Sequence, residues 1–471
     1  MFNYTATYTD QYQLTMAEVY FLKGQKGSRA VFDYFFRKLP FDGGYAVFAG
    51  LDNLLEILET LQFDKNDLEF LREQGMHPDF LEYLKGFRFT GNIYASREGD
   101  LLFPTRPVLQ VEADIIEAQI IETLLLNILN FQTLIATKAS RMRLVAGTCK
   151  LIDFGLRRAH GPGGYYASRA AFIGGFDATS NVLAGRDFNI PVSGTMAHSF
   201  VQSYDREIDS FRDFAEIRTD DCVLLVDTYD TLKSGVPNAV IVGKEMEKRG
   251  NRLKGIRLDS GDLAWLAKKA RKMLDDAGLG YVKIAASNQL DEKVIKSLLD
   301  QKAPIDLFGV GTSLVIGRPD AALDGVYKLS FANDGPRIKL SESLEKVTLP
   351  HRKQVYRMLD KSGNFIGADA AALVDEMGVD RMFHPFEPRK SLSLAEYERE
   401  PLLEKVMDSG RRLSGNKPLD QISSYRSARM RQLPEEYRRF YNPHIYKVGI
   451  SEGLKGERDR LTDWYEQASG R

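Results

Sequence analysis

The chain has only two cysteines, Cys149 and Cys222, among its 471 residues. One pair is too few for a disulfide framework or a thiolate zinc site, so two reduced, buried thiols of a cytoplasmic protein are expected. An excess of charge is lacking too, because Lys+Arg 64 against Asp+Glu 65 leaves a net charge of -1. That balance supplies no general electrostatic reason to bind nucleic acid or an anionic membrane surface, and neither is expected as a partner. No long apolar run is uninterrupted. The most apolar stretch, Ile115 to Ala136, contains Glu117, Gln119, Glu122, Asn127, Asn130 and Gln132, which suits a buried helix better than a bilayer span. The first sixteen residues carry neither a basic segment nor an apolar one of secretory type, and the expected compartment is the cytoplasm. There is no HExxH, no CxxC pair, no Walker loop and no kinase signature set. A metal cage built by the protein itself is therefore not expected.

The hydrophobic content of 43% is ample for a folded chain. At this length one core is not enough, and two domains or a large barrel with additions is the expectation. The first part mixes a helical pattern (Leu51 to Leu61) with strand-like runs at Tyr45–Phe48, Phe87–Tyr94 and Leu101–Val111, the last limited by Pro104 and Pro107. It reads as an α+β domain over 1–135. From about residue 136 to 340, short apolar runs end in polar or glycine residues. Val223–Val226 ends at Asp227, Gly255–Leu258 at Asp259, Val282–Ala286 at Ser287 and Asn288, and Ile305–Phe308 at Gly309. These endings recur about every 25 to 30 residues, the length of one βα unit. Between two of them, Asp262 to Ala277 has the apolar face of a helix, with Gly278 as its stop. Repeated βα units predict a parallel sheet, open or closed. Beyond 341 the chain predicts a hairpin around Ser362–Asn364 and then a charged, helix-prone tail that folds back on the earlier parts.

Ligands bind at the carboxyl ends of strands in barrels and in open α/β sheets, which places Asp227, Asp259, Asn288 and the Gly309 loop on one rim. Arg157 and Arg158 at a strand end, beside the glycine-rich 161–164 turn, suit a polyanion, although solvated surface arginines would look the same. Gly309-Val-Gly311-Thr312 has the form of a backbone phosphate cradle, a weak signal when isolated. His198 follows a Gly194-Thr195 turn. A lone histidine is more often structural, yet Asp227 at the next strand end could hold one ring nitrogen and leave the other nucleophilic. Asp259 and Asp262 could serve a magnesium–phosphate assembly or ribose hydroxyls, or Asp262 could be a plain helix cap.

Several ordered runs resemble one family. Tyr8–Tyr12, Asn130–Lys138, Ile152–Arg158, Gly175–Asn181, Gly194–His198, Ile256–Asp262, Phe308–Gly311 and Lys346–Arg357 look like those of the nicotinate phosphoribosyltransferases. The resemblance implies an α/β fold: an irregular α/β barrel packed on an α+β domain formed from both chain ends, and a homodimer with shared active sites. It implies nicotinate and phosphoribosyl pyrophosphate as substrates, ATP as co-substrate and Mg²⁺ carried by substrate phosphates near Asp259. Phe154 and Tyr12, the latter from a second copy, would sandwich the pyridine ring, with Arg257 on its carboxylate. Lys138, Arg157 and Arg158 would meet the pyrophosphate and ribosyl phosphate. Gly309, Gly311 and Thr312 would take the 5-phosphate, and Thr195 and Asn288 complete the substrate-binding set. Asp259 would hold ribose or metal. His198 corresponds to the family's phosphorylated histidine, with Asp227 orienting it. Ser180 stands where the nicotinamide-using relatives have an aspartate, so a hydroxyl there favours a carboxylate substrate. A nicotinamide enzyme and a catalytically silent homologue are the alternatives. His351 departs from the pattern, since a glycine is expected after Pro350.

Overall fold

The computed structural model describes residues 4–341, 346–387 and 389–468. The chain forms two compact units, 1–137 with 322–471, and 138–321. The second junction thus falls earlier than the expected 340, because Gly325–Ala332 is not part of the βα repeat. It pairs antiparallel with Arg29–Phe36 in the first unit's sheet.

In the second unit six parallel strands carry the βα pattern. Their order is Ala178–Thr179, Lys150–Asp153, Leu307–Val310, Lys283–Ser287, Gly255–Leu258 and Val223–Leu225. The last strand in sequence pairs with the first, Gly309 opposite Ile152 and Val310 opposite Asp153, which is how a barrel closes on itself. Val192 extends the ladder by one bridge to Thr179. No strand pairing among the described residues then joins this edge to Val223–Leu225, and that gap makes the barrel irregular. The expected helix is present as Leu263–Asp276. Asp262 caps it by accepting from the Trp265 N–H at 3.0 Å, and Gly278 follows with φ +70°.

The other unit is built from both chain ends around two larger sheets and a two-stranded one that joins Ala46–Val47 to Leu101–Leu102. In the first, Arg29–Phe36 lies between Leu109–Asp114 and Gly325–Ala332. In the second, Lys353–Leu359 and Phe365–Leu373 form the expected hairpin, with Lys447–Ser451 added in parallel. Leu101–Val111 is not one strand, since it breaks into 101–102 and 109–114 around the two prolines. Phe87–Tyr94 shortens to Asn92–Ala95. The tail is less helical than its charge suggests. Short strands at 381–383, 391–393, 398–401 and 404–408 precede the helices Leu419–Gln432 and Glu452–Ala468. Arg381–Phe383 and Ser391–Ser393 pair with each other, Glu404–Asp408 pairs with both Arg411–Arg412 and Asn92–Ala95, and Glu398–Pro401 pairs with the distant Lys353–Leu359. Runs this short carry little propensity of their own.

A buried charge network holds the ends of the chain together. Arg357 is fully buried and bonds Asp100 at 2.8 Å, Asp369 at 3.1 Å and the Leu101 carbonyl at 2.7 Å. Arg106 reaches Asp369 at 2.8 Å, Arg429 reaches Asp100 at 2.8 Å, and the Tyr446 hydroxyl donates to Asp369 at 2.7 Å. Burial disfavours the charged Arg357, but Asp100 and then Asp369 outweigh it and its pKa stands well above the ordinary value. His351 sits at φ +64°, the left-handed conformation that glycine adopts without strain, and its Nε2 lies 3.0 Å from Glu457 on the last helix. That hydrogen bond accounts for a side chain where the backbone asks for none. Asp369→Asn leaves Arg357 and Arg106 short of a counter-charge in a dry interior. Stability should fall by about 3–5 kcal/mol, read as the denaturation midpoint; a loss under about 1 kcal/mol would mean that water reaches the network.

Candidate functional site

The first barrel strand, Lys150–Asp153, delivers Phe154 to the rim, where its N–H donates to the Val310 carbonyl at 2.8 Å. The ring lies on Gly309. A Cβ built there would stand 2.3 Å from Phe154 Cε2, so this glycine is required by the aromatic seat. The ring fills the space that the missing Gly309 side chain leaves, on the loop expected to cradle a phosphate with its backbone. A Cβ at Gly311 would meet the Phe154 carbonyl oxygen at 3.3 Å, a tight contact with the backbone of the same residue, and Thr312 is exposed at the start of a short helix.

Arg257 rises from the strand Gly255–Leu258, two places along the sheet from Leu307–Val310, its guanidinium 6.0 Å from the Phe154 ring centroid. Its Nη1 donates to Thr195 Oγ1 at 2.6 Å, Asp259 stands 3.9 Å away, and its buried Nε has no hydrogen-bond partner among the described residues. Burial lowers the Arg257 pKa, Asp259 and Asp227 oppose that, and Arg157 adds to it. The group remains a cation throughout the accessible pH range. An aromatic face beside a half-satisfied cation is a receptor for a flat anion. The approach of Arg157 to Arg257 strengthens the same field. Arg157 and Arg158 are both exposed on the turn 156–158.

His198 is half-buried. Its Nδ1 lies 3.1 Å from Thr228 Oγ1 and its Nε2 3.7 Å from Asp259 Oδ2. The expected pairing with Asp227 is not made. Asp227 instead accepts from the Asp259 N–H and the Ser260 hydroxyl, each at 2.7 Å, which ties two strand ends together. Its other oxygen is buried with no hydrogen-bond partner among the described residues. Asp259 also accepts from the Ser287 hydroxyl. Asn288 follows that strand at φ +81°, exposed on the same rim. Carboxylate oxygens of this kind suit Mg²⁺ shared with phosphates. Among the described residues no group of three or more His, Cys, Asp or Glu is placed to hold a metal ion by itself.

Lys138 does not present a free ammonium. It is 1% exposed and pairs with Glu292 at 2.5 Å, with Arg141 also near Glu292 at 3.5 Å. Burial lowers its pKa against the pull of Glu292. Tyr12 lies in the other unit, 51% exposed on the helix Gln11–Leu22, and accepts from Gln13 Nε2 at 3.1 Å. Ser180 is half-buried, its N–H donating to the Asp153 carbonyl at 2.8 Å. Both cysteines are free, Cys222 buried and Cys149 only partly so; burial pushes the Cys222 thiol up to about 12. Sequence reasoning missed Thr228, Ser287 and Glu292. Thr228 adjoins Asp227, and only the turn of the strand end decides which of the two meets the histidine.

An irregular parallel barrel with an aromatic face, a buried guanidinium and carboxylates on its rim is the architecture of a barrel-type phosphoribosyltransferase. A nicotinate-nucleotide pyrophosphorylase structure from Pyrococcus furiosus shares the fold, with a TM-score of 0.71 at 24% identity over 91% of this chain and 95% of that one. Family models for the nicotinate phosphoribosyltransferase N-terminal domain, the family itself and the C-terminal domain match residues 7–130, 149–358 and 352–456. A nicotinate phosphoribosyltransferase of Bacillus subtilis is 48% identical, covering 94% of this chain and 92% of its own. One from Caenorhabditis elegans is 36% identical, covering 95% and 91%. The crystal structure of human nicotinic acid phosphoribosyltransferase superimposes with a TM-score of 0.86 at 30% identity over 96% of this chain and 99% of that one. The chain belongs to the nicotinate phosphoribosyltransferase family.

The Phe154 seat is open to a direct check. Gly309→Ala should displace the ring by about 1 Å or more, because a packed interior absorbs an added methyl only by moving its neighbour. Gly311→Ala, whose added methyl would stand 3.3 Å from the Phe154 carbonyl oxygen and clear of the ring, should move the ring less. Crystal structures of both variants decide the matter, and an unmoved ring in the first would discount the contact.

Proposed function

We infer that this chain joins nicotinate to the ribosyl 5-phosphate of phosphoribosyl pyrophosphate, forming nicotinate mononucleotide and pyrophosphate for NAD biosynthesis. The observation that carries the reading is Arg257, largely buried beside the Phe154 ring with its Nε unpartnered. A pyridine ring stacked on Phe154 would place its carboxylate on that guanidinium and hold the ring nitrogen in line with C1 of the sugar. The nitrogen lone pair forms the new bond to C1 while the C1–O pair leaves with pyrophosphate, so no proton need be transferred. Positive charge develops on the ribose ring, which Asp259 on the rim would stabilise. When bound, Mg²⁺ neutralises the leaving diphosphate; Asp259 and the unpartnered oxygen of Asp227 are the protein atoms suited to its shell. Arg157 and Arg158 would take phosphate oxygens. Tyr12 of a second copy would cover the outer face of the pyridine, which makes a homodimer part of the proposal.

The second element is a phosphohistidine coupled to ATP hydrolysis. If His198 Nδ1 donates its proton to Thr228, Nε2 carries the lone pair that can attack the terminal phosphorus of ATP. ADP then leaves, and later hydrolysis restores the imidazole. The contact of Nδ1 with Thr228 supports this assignment.

Incubation with nicotinate, phosphoribosyl pyrophosphate and Mg²⁺, with and without ATP, separates the two parts. Product without any effect of ATP on rate or affinity would sink the phosphohistidine and leave the transfer standing. His198→Ala should keep basal transfer and lose ATP stimulation. For substrate choice, Ser180→Asp sets a second carboxylate against that of nicotinate. Its kcat/KM for nicotinate should drop by about a hundredfold and that for nicotinamide much less. Equal losses would remove Ser180 from the discrimination.

A further inference from the structure

Beneath the rim lies a buried carboxylate to which the reaction gives no role. Asp153 is 1% exposed, yet it accepts three hydrogen bonds from three separate parts of the barrel unit. Its Oδ1 receives the Gly155 N–H at 2.8 Å, and its Oδ2 the Ser168 hydroxyl at 2.7 Å and the Thr179 hydroxyl at 2.8 Å. Its own carbonyl accepts from the Ser180 N–H at 2.8 Å, and Thr179 Oγ1 accepts from the Asn181 N–H at 3.0 Å. The residues on both sides of Ser180 are thus bonded to Asp153 or to a hydroxyl that Asp153 orients. On the other flank, the Gly155 N–H fixes the turn immediately after Phe154. Gly155 has no room to drift, since a Cβ there would meet Val315 Cγ1 at 2.0 Å.

We propose that Asp153 is a positioning residue that sets the aromatic face and the selecting hydroxyl of the nicotinate site from one buried carboxylate. The proposal rests on the nicotinate reading above. A lone structural aspartate would need one or two donors from its own loop. This one draws on the turn after Phe154, the helix Gly163–Gly174 and the strand Ala178–Thr179. All three donors aim at an acceptor; burial raises the Asp153 pKa, and these hydrogen bonds oppose that rise only in part. Asp153 touches neither Arg257 nor the rim carboxylates in any described contact. Its loss should therefore reach the pyridine subsite and spare the phosphate contacts.

The experiment titrates wild-type protein, Asp153→Ala, Asp153→Asn and Thr179→Val with nicotinate and, separately, with phosphoribosyl pyrophosphate by calorimetry. KM values for nicotinate and nicotinamide are measured alongside. Asp153→Ala should weaken nicotinate at least about tenfold and change phosphoribosyl pyrophosphate less than about twofold, with the preference for nicotinate over nicotinamide reduced. Asp153→Asn should recover most of the affinity, because its amide oxygen can still take the Gly155 N–H while both hydroxyls can turn to accept from its nitrogen. Should the alanine variant not fold, Thr179→Val must show the same split between the two substrates. Affinities that fall together, or an unchanged nicotinate affinity in a folded variant, overturn the proposal. Wild-type protein that binds phosphoribosyl pyrophosphate but not nicotinate overturns the functional reading itself, and this inference falls with it.

Discussion

The site depends on the hydrogen-bonded pairing of the first barrel strand with the last. Lys150–Asp153 and Leu307–Val310 are far apart in the chain, and the register of Gly309 opposite Ile152 is what sets the Phe154 ring on a residue without a side chain. The ladder continues past the strand end through the Phe154 N–H and the Val310 carbonyl. A slip of one residue would turn Phe154 to the other face of the sheet. The aromatic face is therefore a consequence of barrel closure, and Gly255–Leu258, two places along the same sheet from Leu307–Val310, supplies Arg257.

The buried network of the chain-end unit and the rim of the barrel treat charge in opposite ways. In the unit formed by the chain ends, Arg357, Asp100, Asp369, Arg106 and Arg429 pair with one another in full burial. Such a network gains little net energy over an apolar core, but it tolerates the loss of no member, and so it fixes which segments meet. On the barrel rim the pairing is incomplete. Arg257 Nε and one oxygen of Asp227 are buried without hydrogen-bond partners, and Arg257 stands 3.9 Å from Asp259. Groups held in this way are paid for by the rest of the fold and are available to a ligand.

The sequence made the rim legible because each strand ends in a residue that a strand interior would not choose, as at Asp227, Asp259 and Gly309. The helix after Asp262 was legible from its cap and its apolar face. What escaped were choices made by geometry between neighbours. Asp227 and Thr228 are adjacent, and the turn gives the histidine to the threonine while the aspartate clamps the next strand. Lys138 looked like a phosphate ligand, but nothing local announces Glu292 as its buried partner. The family pattern likewise places a glycine after Pro350 without revealing that His351 takes the left-handed backbone and spends its ring on Glu457. The tail hid its strands because runs of two to five residues, several of them at sheet edges, carry little propensity of their own.

The wiring of His198 constrains how phosphorylation could influence substrate binding. A phosphoryl group on Nε2 would stand beside Asp259, which is already 3.7 Å from that nitrogen. Two like unit charges at about 4 Å repel by roughly 4 kcal/mol at an effective dielectric constant of 20, and a phosphoryl group carries more than one. The unphosphorylated site has no such surplus, because Thr228 at the other ring nitrogen is neutral. A phosphorylated form would therefore be relieved by whatever brings positive charge to Asp259, and a metal–diphosphate assembly does so. By linkage, any ligand that relieves the repulsion binds the phosphorylated protein more tightly by the same free energy. Had Asp227 held the ring as its position in the chain suggests, a second carboxylate would have stood by the histidine. The neutral threonine would keep such coupling focused on Asp259, a carboxylate within 4 Å of both the imidazole and the guanidinium of Arg257.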